Sequence, residues 1–90
     1  MDLKHYAPKT KLLVVDNIKD YLKNHANLNI GVLEFKETDN KSIAKQFYYR
    51  LYQLDQQNFD LIITTKFKNI GIGKALNDKL QRASYSEKGL

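Results

Sequence analysis

The sequence contains no cysteine, a single proline and no long run of apolar residues. The absence of cysteine excludes disulfide bonds and thiolate metal sites, and it favours a cytoplasmic protein. A membrane-spanning helix needs about 20 consecutive apolar residues, and no segment approaches that length. The first residues, MDLKHYAP, are too polar for a signal peptide. We therefore expect a cytoplasmic protein with no membrane partner.

The chain has 90 residues, which predicts one small domain with a thin core. Its hydrophobic content of 42% is typical of a globular protein and argues against disorder. The net charge of +5 is compatible with an anionic partner, such as a nucleotide, RNA or an acidic protein surface. The lysines are scattered in short clusters, which favours an ordinary solvated surface over a dedicated nucleic-acid face.

The two ends of the chain differ from its middle. Residues 1–9 are predicted to form an extended arm, because they lack periodicity and because Pro8 disfavours a helical conformation at Ala7. Residues 10–84 carry regular hydrophobic patterns and are predicted to form an α/β domain. Residues 85–90 are predicted to be a tail.

Short apolar runs alternate with segments whose apolar residues recur every three or four positions. This order predicts three strand–helix units in a small Rossmann-like α/β sandwich, βαβαβα, around a short and mostly parallel sheet. The first strand reads as buried on both faces. The predicted elements are a strand at 12–15, a helix capped by Asp16 or Asn17 with Ile18, Leu22 and His25 or Ala26 on one inward face, a strand at 30–35, a helix at 42–55, a strand at 61–65, and a helix after Gly73 with Ile72, Leu76, Leu80 and Ala83 inward.

Polar residues at the predicted strand ends are candidates for a pocket rim. In open α/β sheets, ligands bind at the carboxyl ends of the strands. Asp16 follows the first strand, and Thr64, Thr65 and Lys66 lie at the end of the third. Ordinary capping of strand ends explains these side chains equally well.

Two further rim candidates are the glycines of GIGKAL, Gly71 and Gly73. Glycines before a helix N-terminus can expose backbone N–H groups to an anion. The spacing required for a full phosphate-binding loop is absent. A tight turn into the last helix is therefore the simpler interpretation.

The sequence offers no complete catalytic motif. His5 and His25 are the only histidines, and no acidic residue stands near them at metal-ligand spacing. There is no nucleophile elbow, zinc-protease motif or convincing catalytic triad. The tyrosines of FYYRLY suggest base stacking, but core packing by one side of a helix is the better explanation.

Two segments resemble parts of the response-regulator receiver domain: KLLVVDN its first strand, and FDLIITT the strand of its phospho-acceptor. A receiver needs an acidic pair to bind Mg²⁺, but Asp16 is followed by Asn17. Thr65 stands where the acceptor aspartate is required. This excludes a phosphorylatable receiver and leaves a degenerate, stand-alone binding module as the alternative.

Three blocks, in order, match a second pattern. MDLKHYAPK resembles the linker pattern G-M-K-Y-R-H-Y-A-P, SIAKQFYYRLYQLD fits A-x-x-[LF]-[YF]-x-x-L-x-x-[LF]-D, and GIGKALNDKLQRAS fits G-[LI]-G-x-A-[IL]-x-[DN]-[RK]-L-x-[KR]-A-[AS]. The whole chain thus resembles the linker and C-terminal domain of the two-domain L-threonylcarbamoyladenylate synthases, without their catalytic domain. Asp2 and Leu3 depart from the pattern, and Lys4 replaces an arginine, which keeps the charge but loses the bidentate fork.

The resemblance implies a non-catalytic accessory domain of a threonylcarbamoyl-AMP synthase, a nucleotidyltransferase in tRNA threonylcarbamoyladenosine modification. The catalytic synthase domain is the implied partner, with tRNA contacted at most indirectly. ATP and Mg²⁺ would serve the whole enzyme, and no cofactor is expected in this chain. The arm is implied to close over the nucleotide site as a lid, with Lys4, His5 and Tyr6 reaching the nucleotide.

Overall fold

The computed structural model describes residues 6–35, 40–68 and 71–84. These form an α/β fold in which three parallel strands alternate with three helices, which confirms the predicted βαβαβα order. The elements are β1 (Leu12–Val14), α1 (Ile18–Asn24), β2 (Ile30–Val32), α2 (Asn40–Asp55), β3 (Leu61–Thr64) and α3 (Ile72–Ala83).

The last strand in the chain is the central strand of the sheet. β3 pairs in parallel with β1 on one side and with β2 on the other, giving the order β1-β3-β2. All four residues of β3 are buried, whereas in β1 only Leu12 is buried. The prediction that the first strand is buried on both faces is therefore wrong. An edge strand has a neighbour on one side only, so it cannot be covered as fully as the strand between two others.

The main core lies between one face of the sheet and the two longer helices. α2 contributes Phe47 and Leu51, and α3 contributes Leu76 and Leu80. These pack with residues of all three strand regions, namely Leu12, Leu33 and Ile62. The spacing of four between successive apolar residues explains this arrangement, because such residues lie on one side of a helix.

α1 covers the sheet only lightly. The cap prediction is confirmed at Asn17, whose side-chain Oδ1 accepts a hydrogen bond from the Asp20 amide at 2.9 Å. None of the seven helical residues, all of which the structure describes, is buried. The predicted inward position of Leu22 is wrong, since 37% of it is exposed. A helix of two turns places too few side chains over the sheet to bury them.

The last helix begins earlier than predicted. Gly71, with φ +56°, forms the turn, and α3 starts at Ile72 instead of after Gly73. Gly73 is buried, while Ile72 is 44% exposed, so the predicted inward position of Ile72 is wrong. Ile72 lies in the first turn of the helix, ahead of the part that packs on the core.

β2 makes a close backbone contact that requires glycine. A Cβ atom on Gly31 would lie 2.5 Å from Cδ2 of Phe59 and 2.7 Å from Cε2. The ring therefore packs directly on the backbone in the middle of β2. The strand ends at Val32, three residues earlier than predicted, although the Leu33 amide still donates to the Ile63 carbonyl at 2.9 Å.

Candidate functional site

A buried carboxylate attaches the arm to the body of the domain. Asp55 is the last residue of α2 and is 4% exposed. Its Oδ1 accepts hydrogen bonds from the Thr10 amide at 2.9 Å and the Thr10 hydroxyl at 2.7 Å. Its Oδ2 accepts one from the Lys9 amide at 3.0 Å and one from the Tyr6 phenol. We call these four residues the Asp55 anchor.

The hydrogen bonds of the Asp55 anchor keep the carboxylate ionised. Burial by itself raises the pKa of Asp55, but the donors Tyr6, Thr10 and Lys9 more than offset burial and lower that pKa to about 2. A negative charge at the C-terminal end of a helix is opposed by the helix dipole. Asp55 is thus stabilised by the arm and not by the helix that carries it.

Tyr6 also packs on the domain through its ring. The ring lies edge-on to Tyr52, with 5.5 Å between the centroids, and is half-buried against the core. Burial, and then the hydrogen bond to Asp55, raise the pKa of the Tyr6 phenol to about 12. A small cavity of about 70 Å³ beside it is lined by Tyr6, Ala7, Tyr48, Arg82 and Ala83. The described part of the arm therefore lies against α2 and α3.

The strand-end residues predicted for a pocket rim have different surroundings. Asp16 and Lys66 are exposed, and Thr65 is half-buried. Thr64 is 2% exposed, and its hydroxyl donates to the Leu33 carbonyl at 2.8 Å. That hydroxyl joins the ends of β2 and β3, so capping explains its position.

An open groove of about 490 Å³ lies between the strand ends and α3. Asn77 fixes one wall of it, because its side chain accepts from the Phe67 amide at 2.8 Å and donates to the Phe67 carbonyl at 2.9 Å. Of the predicted rim residues, Lys66 lines this groove, and Gly71 lines a neighbouring depression along α3. The full lining of the groove is Val14, Lys66, Phe67, Asn77, Leu80, Gln81 and Ser84.

The Asp55 anchor was missed by the reading of the sequence. Asp55 fits a motif of the family pattern, but the pattern predicts no role for its side chain. No pattern in the sequence predicts a role for Lys9 or Thr10. A signal existed, since an aspartate in the last turn of a helix opposes the dipole and needs a partner elsewhere. Two residues predicted to contact the nucleotide, Lys4 and His5, lie outside the described residues.

The described residues contain neither a metal-ligand cluster nor a membrane-spanning helix. Within residues 6–35, 40–68 and 71–84, no group of three His, Asp or Glu side chains could hold a metal ion. In the same part of the chain, no helix is long and apolar enough to cross a bilayer. No cluster of that kind is therefore available to Mg²⁺ in this part of the chain.

Comparison with known families decides the relationship. A family model described as "Threonylcarbamoyl-AMP synthase, C-terminal domain" matches residues 1–84. The chain belongs to this family. No curated protein and no solved structure matches the chain significantly. Because this family is the C-terminal domain of a synthase, membership implies a catalytic domain as its partner. The matched region contains the complete Asp55 anchor.

Proposed function

We propose that the chain is the accessory domain and linker of a threonylcarbamoyl-AMP synthase, and that the arm, residues 1–9, closes over the nucleotide site of the catalytic domain. The family match supports this proposal because it covers the arm as well as the α/β body. The observation that carries it is the Asp55 anchor, in which the carboxylate accepts two hydrogen bonds from the arm, from Tyr6 and Lys9, and two from the adjoining Thr10.

The proposed lid acts by exclusion of water and by charge. The whole enzyme would activate threonine and bicarbonate with ATP in the cytoplasm, for transfer to tRNA, which this chain would meet only indirectly. Lys4 would place a cation near the phosphates, with His5 and Tyr6 beside it. Closing a site over a nucleotide removes competing water and strengthens electrostatic interactions inside it. This chain would supply no catalytic residue.

Reconstitution tests this proposal. The chain would be added in trans to the catalytic synthase domain from the same organism, and ATP- and threonine-dependent pyrophosphate release would be measured. We expect no release from the chain alone and a several-fold higher rate from the mixture than from the catalytic domain alone. Lys4→Ala with His5→Ala should abolish the stimulation, whereas Lys23→Ala on α1 should not. Release by the chain alone, or no stimulation by the intact chain, would contradict the proposal.

The structure gives no support to a receiver-like module as a second candidate. In the flavodoxin-like order of such domains, the first strand lies between the second and the third. Here β3 occupies the centre and β1 an edge. The strand-end residues Asp16, Thr64, Thr65 and Lys66, with Gly71 and Gly73, remain candidates for a ligand site of the body that is separate from the proposed lid.

A further inference from the structure

We infer that Asp55 is the positioning residue of the proposed lid, holding residues 6–10 on the end of α2 and so fixing the point at which the arm leaves the body. The lid role in this inference rests on the proposed function. The attachment of residues 6–10 to Asp55 does not depend on it. Asp55 would touch neither nucleotide nor reacting atoms. It would act through Tyr6, which immediately follows the predicted nucleotide contacts Lys4 and His5.

The Asp55 carboxylate uses its whole hydrogen-bonding capacity on one segment. Two carboxylate oxygens have about four lone-pair positions. Tyr6 and Lys9 of the arm, with Thr10 at the start of the body, fill them with four donors, two on each oxygen. All of these donors come from residues 6–10, at 45 to 49 positions from Asp55 in sequence. The side chain is therefore fully committed to holding one short segment.

The proton of the Tyr6 phenol already has an acceptor within the domain. A phenol has one proton to donate, and Tyr6 donates it to Asp55. Tyr6 cannot donate the same proton to a nucleotide while the Asp55 anchor is intact. The resemblance implies that Tyr6 contacts the nucleotide together with Lys4 and His5. The hydrogen bond to Asp55 instead gives Tyr6 the role of attaching the arm to the body.

The end of α2 does not otherwise need an acid at this position. The end of α2 is closed by backbone bonds, from the Gln56 amide to the Tyr52 carbonyl at 3.2 Å and from the Gln57 amide to the Leu54 carbonyl at 3.0 Å. A carboxylate opposes the dipole at this end of a helix. Its role lies in the contact with the arm.

Amide hydrogen exchange on the intact chain, read residue by residue by NMR, tests the attachment without any assay of activity. The Lys9 and Thr10 amides should be protected in the wild type. Asp55→Asn keeps one oxygen but replaces the other acceptor with an NH₂ group. If the remaining oxygen stays with Thr10, exchange of the Lys9 amide should accelerate at least tenfold while that of the Thr10 amide changes less. Tyr6→Phe, which keeps the ring, provides a milder variant if Asp55→Asn does not fold.

Asp60→Asn is the matched control. Asp60 is an exposed aspartate whose carboxylate also accepts a backbone amide, that of Asn29 at 2.8 Å. This variant should leave exchange at Lys9 unchanged. Free exchange of the Lys9 amide in the wild type, while core amides such as that of Ile62 stay protected, would overturn the inference. So would Lys9 and Thr10 amides that both remain as protected in folded Asp55→Asn as they are in the wild type.

The reconstituted synthase tests the positioning role. We expect Asp55→Asn and Tyr6→Phe each to raise the apparent KM for ATP several-fold with the chain still folded, and the double variant to be no worse than Asp55→Asn. Additive effects would mean that Tyr6 contacts the nucleotide directly, which overturns the inference. An undiminished stimulation by Asp55→Asn would also overturn it. A wild-type chain that passes the exchange test but gives no stimulation would contradict the proposed function itself.

Discussion

At the scale of single residues, the most informative side chains are buried polar groups whose partners lie far away in sequence. Asp55 and Thr64 are both nearly inaccessible to solvent, and the side chain of each is hydrogen-bonded to a distant part of the chain. The sequence identified Thr64 as a strand-end residue but could not show which way its hydroxyl points. It could not pair Asp55 with Tyr6 either, because no local pattern links residues 49 positions apart.

Acid should weaken the domain through Asp55. Because the pKa of Asp55 is about 2 in the folded state and the ordinary pKa of an aspartate is 3.8, the carboxylate stabilises the fold by up to about 2 kcal/mol above pH 5. The unfolded state binds the proton first, so this contribution is lost as pH falls from about 4 to 2. Urea unfolding at pH 7 and pH 2.5 measures the loss. Asp55→Asn should be less stable at pH 7 and should show a smaller decrease, and equal decreases would contradict the assignment.

Removal of the Thr64 hydroxyl should destabilise the sheet. Thr64→Val preserves the shape of the side chain but leaves the Leu33 carbonyl without its hydroxyl donor. Loss of a buried hydrogen bond costs about 1–2 kcal/mol. Urea unfolding would measure the change, with Thr65→Val at the half-buried neighbouring position as the control. A cost at Thr65 equal to that at Thr64 would show that the hydroxyl bond is not the cause.

At the scale of elements, the sequence predicted the type and order of all six, while their burial depended on neighbours that it does not reveal. The long helix at α2 was found within two residues of its start because four apolar residues mark one face. The burial of β1 and of Leu22 in α1 was overestimated. Both errors have one cause: an apolar run shows that a segment can be buried, but the strand order decides which segment lies in the centre.

The contact between β2 and the Phe59 ring gives a prediction at this scale. Gly31→Ala would bring the new methyl group within 2.5 Å of the ring, so the strand or the ring must move. Overpacking of this kind costs about 1–3 kcal/mol. Thermal unfolding should show the loss, and a second change, Phe59→Leu, should recover part of it. At Gly71 the space is open, so a side chain there would be opposed by the backbone conformation, φ +56° and ψ −127°, and not by a contact.

At the scale of the whole molecule, the architecture and the family were both predictable, and the site was predictable only in part. Three ordered blocks led to the family that the comparison shows over residues 1–84. The groove beside α3 contains Lys66 as expected, but its wall is set by Asn77, to which the sequence gave no role. Asn77 meets Phe67 only after the chain has turned at Gly71, so local patterns could not pair them.

Truncation before β3 should remove the entire sheet. β1 and β2 each pair with β3, and neither pairs with the other. A chain that ends at residue 60 retains both edge strands but no strand partner for either. We expect its far-UV circular dichroism to show little ordered structure and no cooperative thermal transition. A cooperative transition in this fragment would contradict the central role of β3.

The position of β3 also has a consequence for synthesis on the ribosome. β1 and β2 leave the exit tunnel first, and both remain unpaired until β3, which lies between them in the sheet, has been translated. Folding is therefore a late event that inserts the newest strand between two older ones. During that interval the nascent chain exposes two apolar strands without pairing partners. Exposed segments of this kind favour binding by chaperones that act during translation.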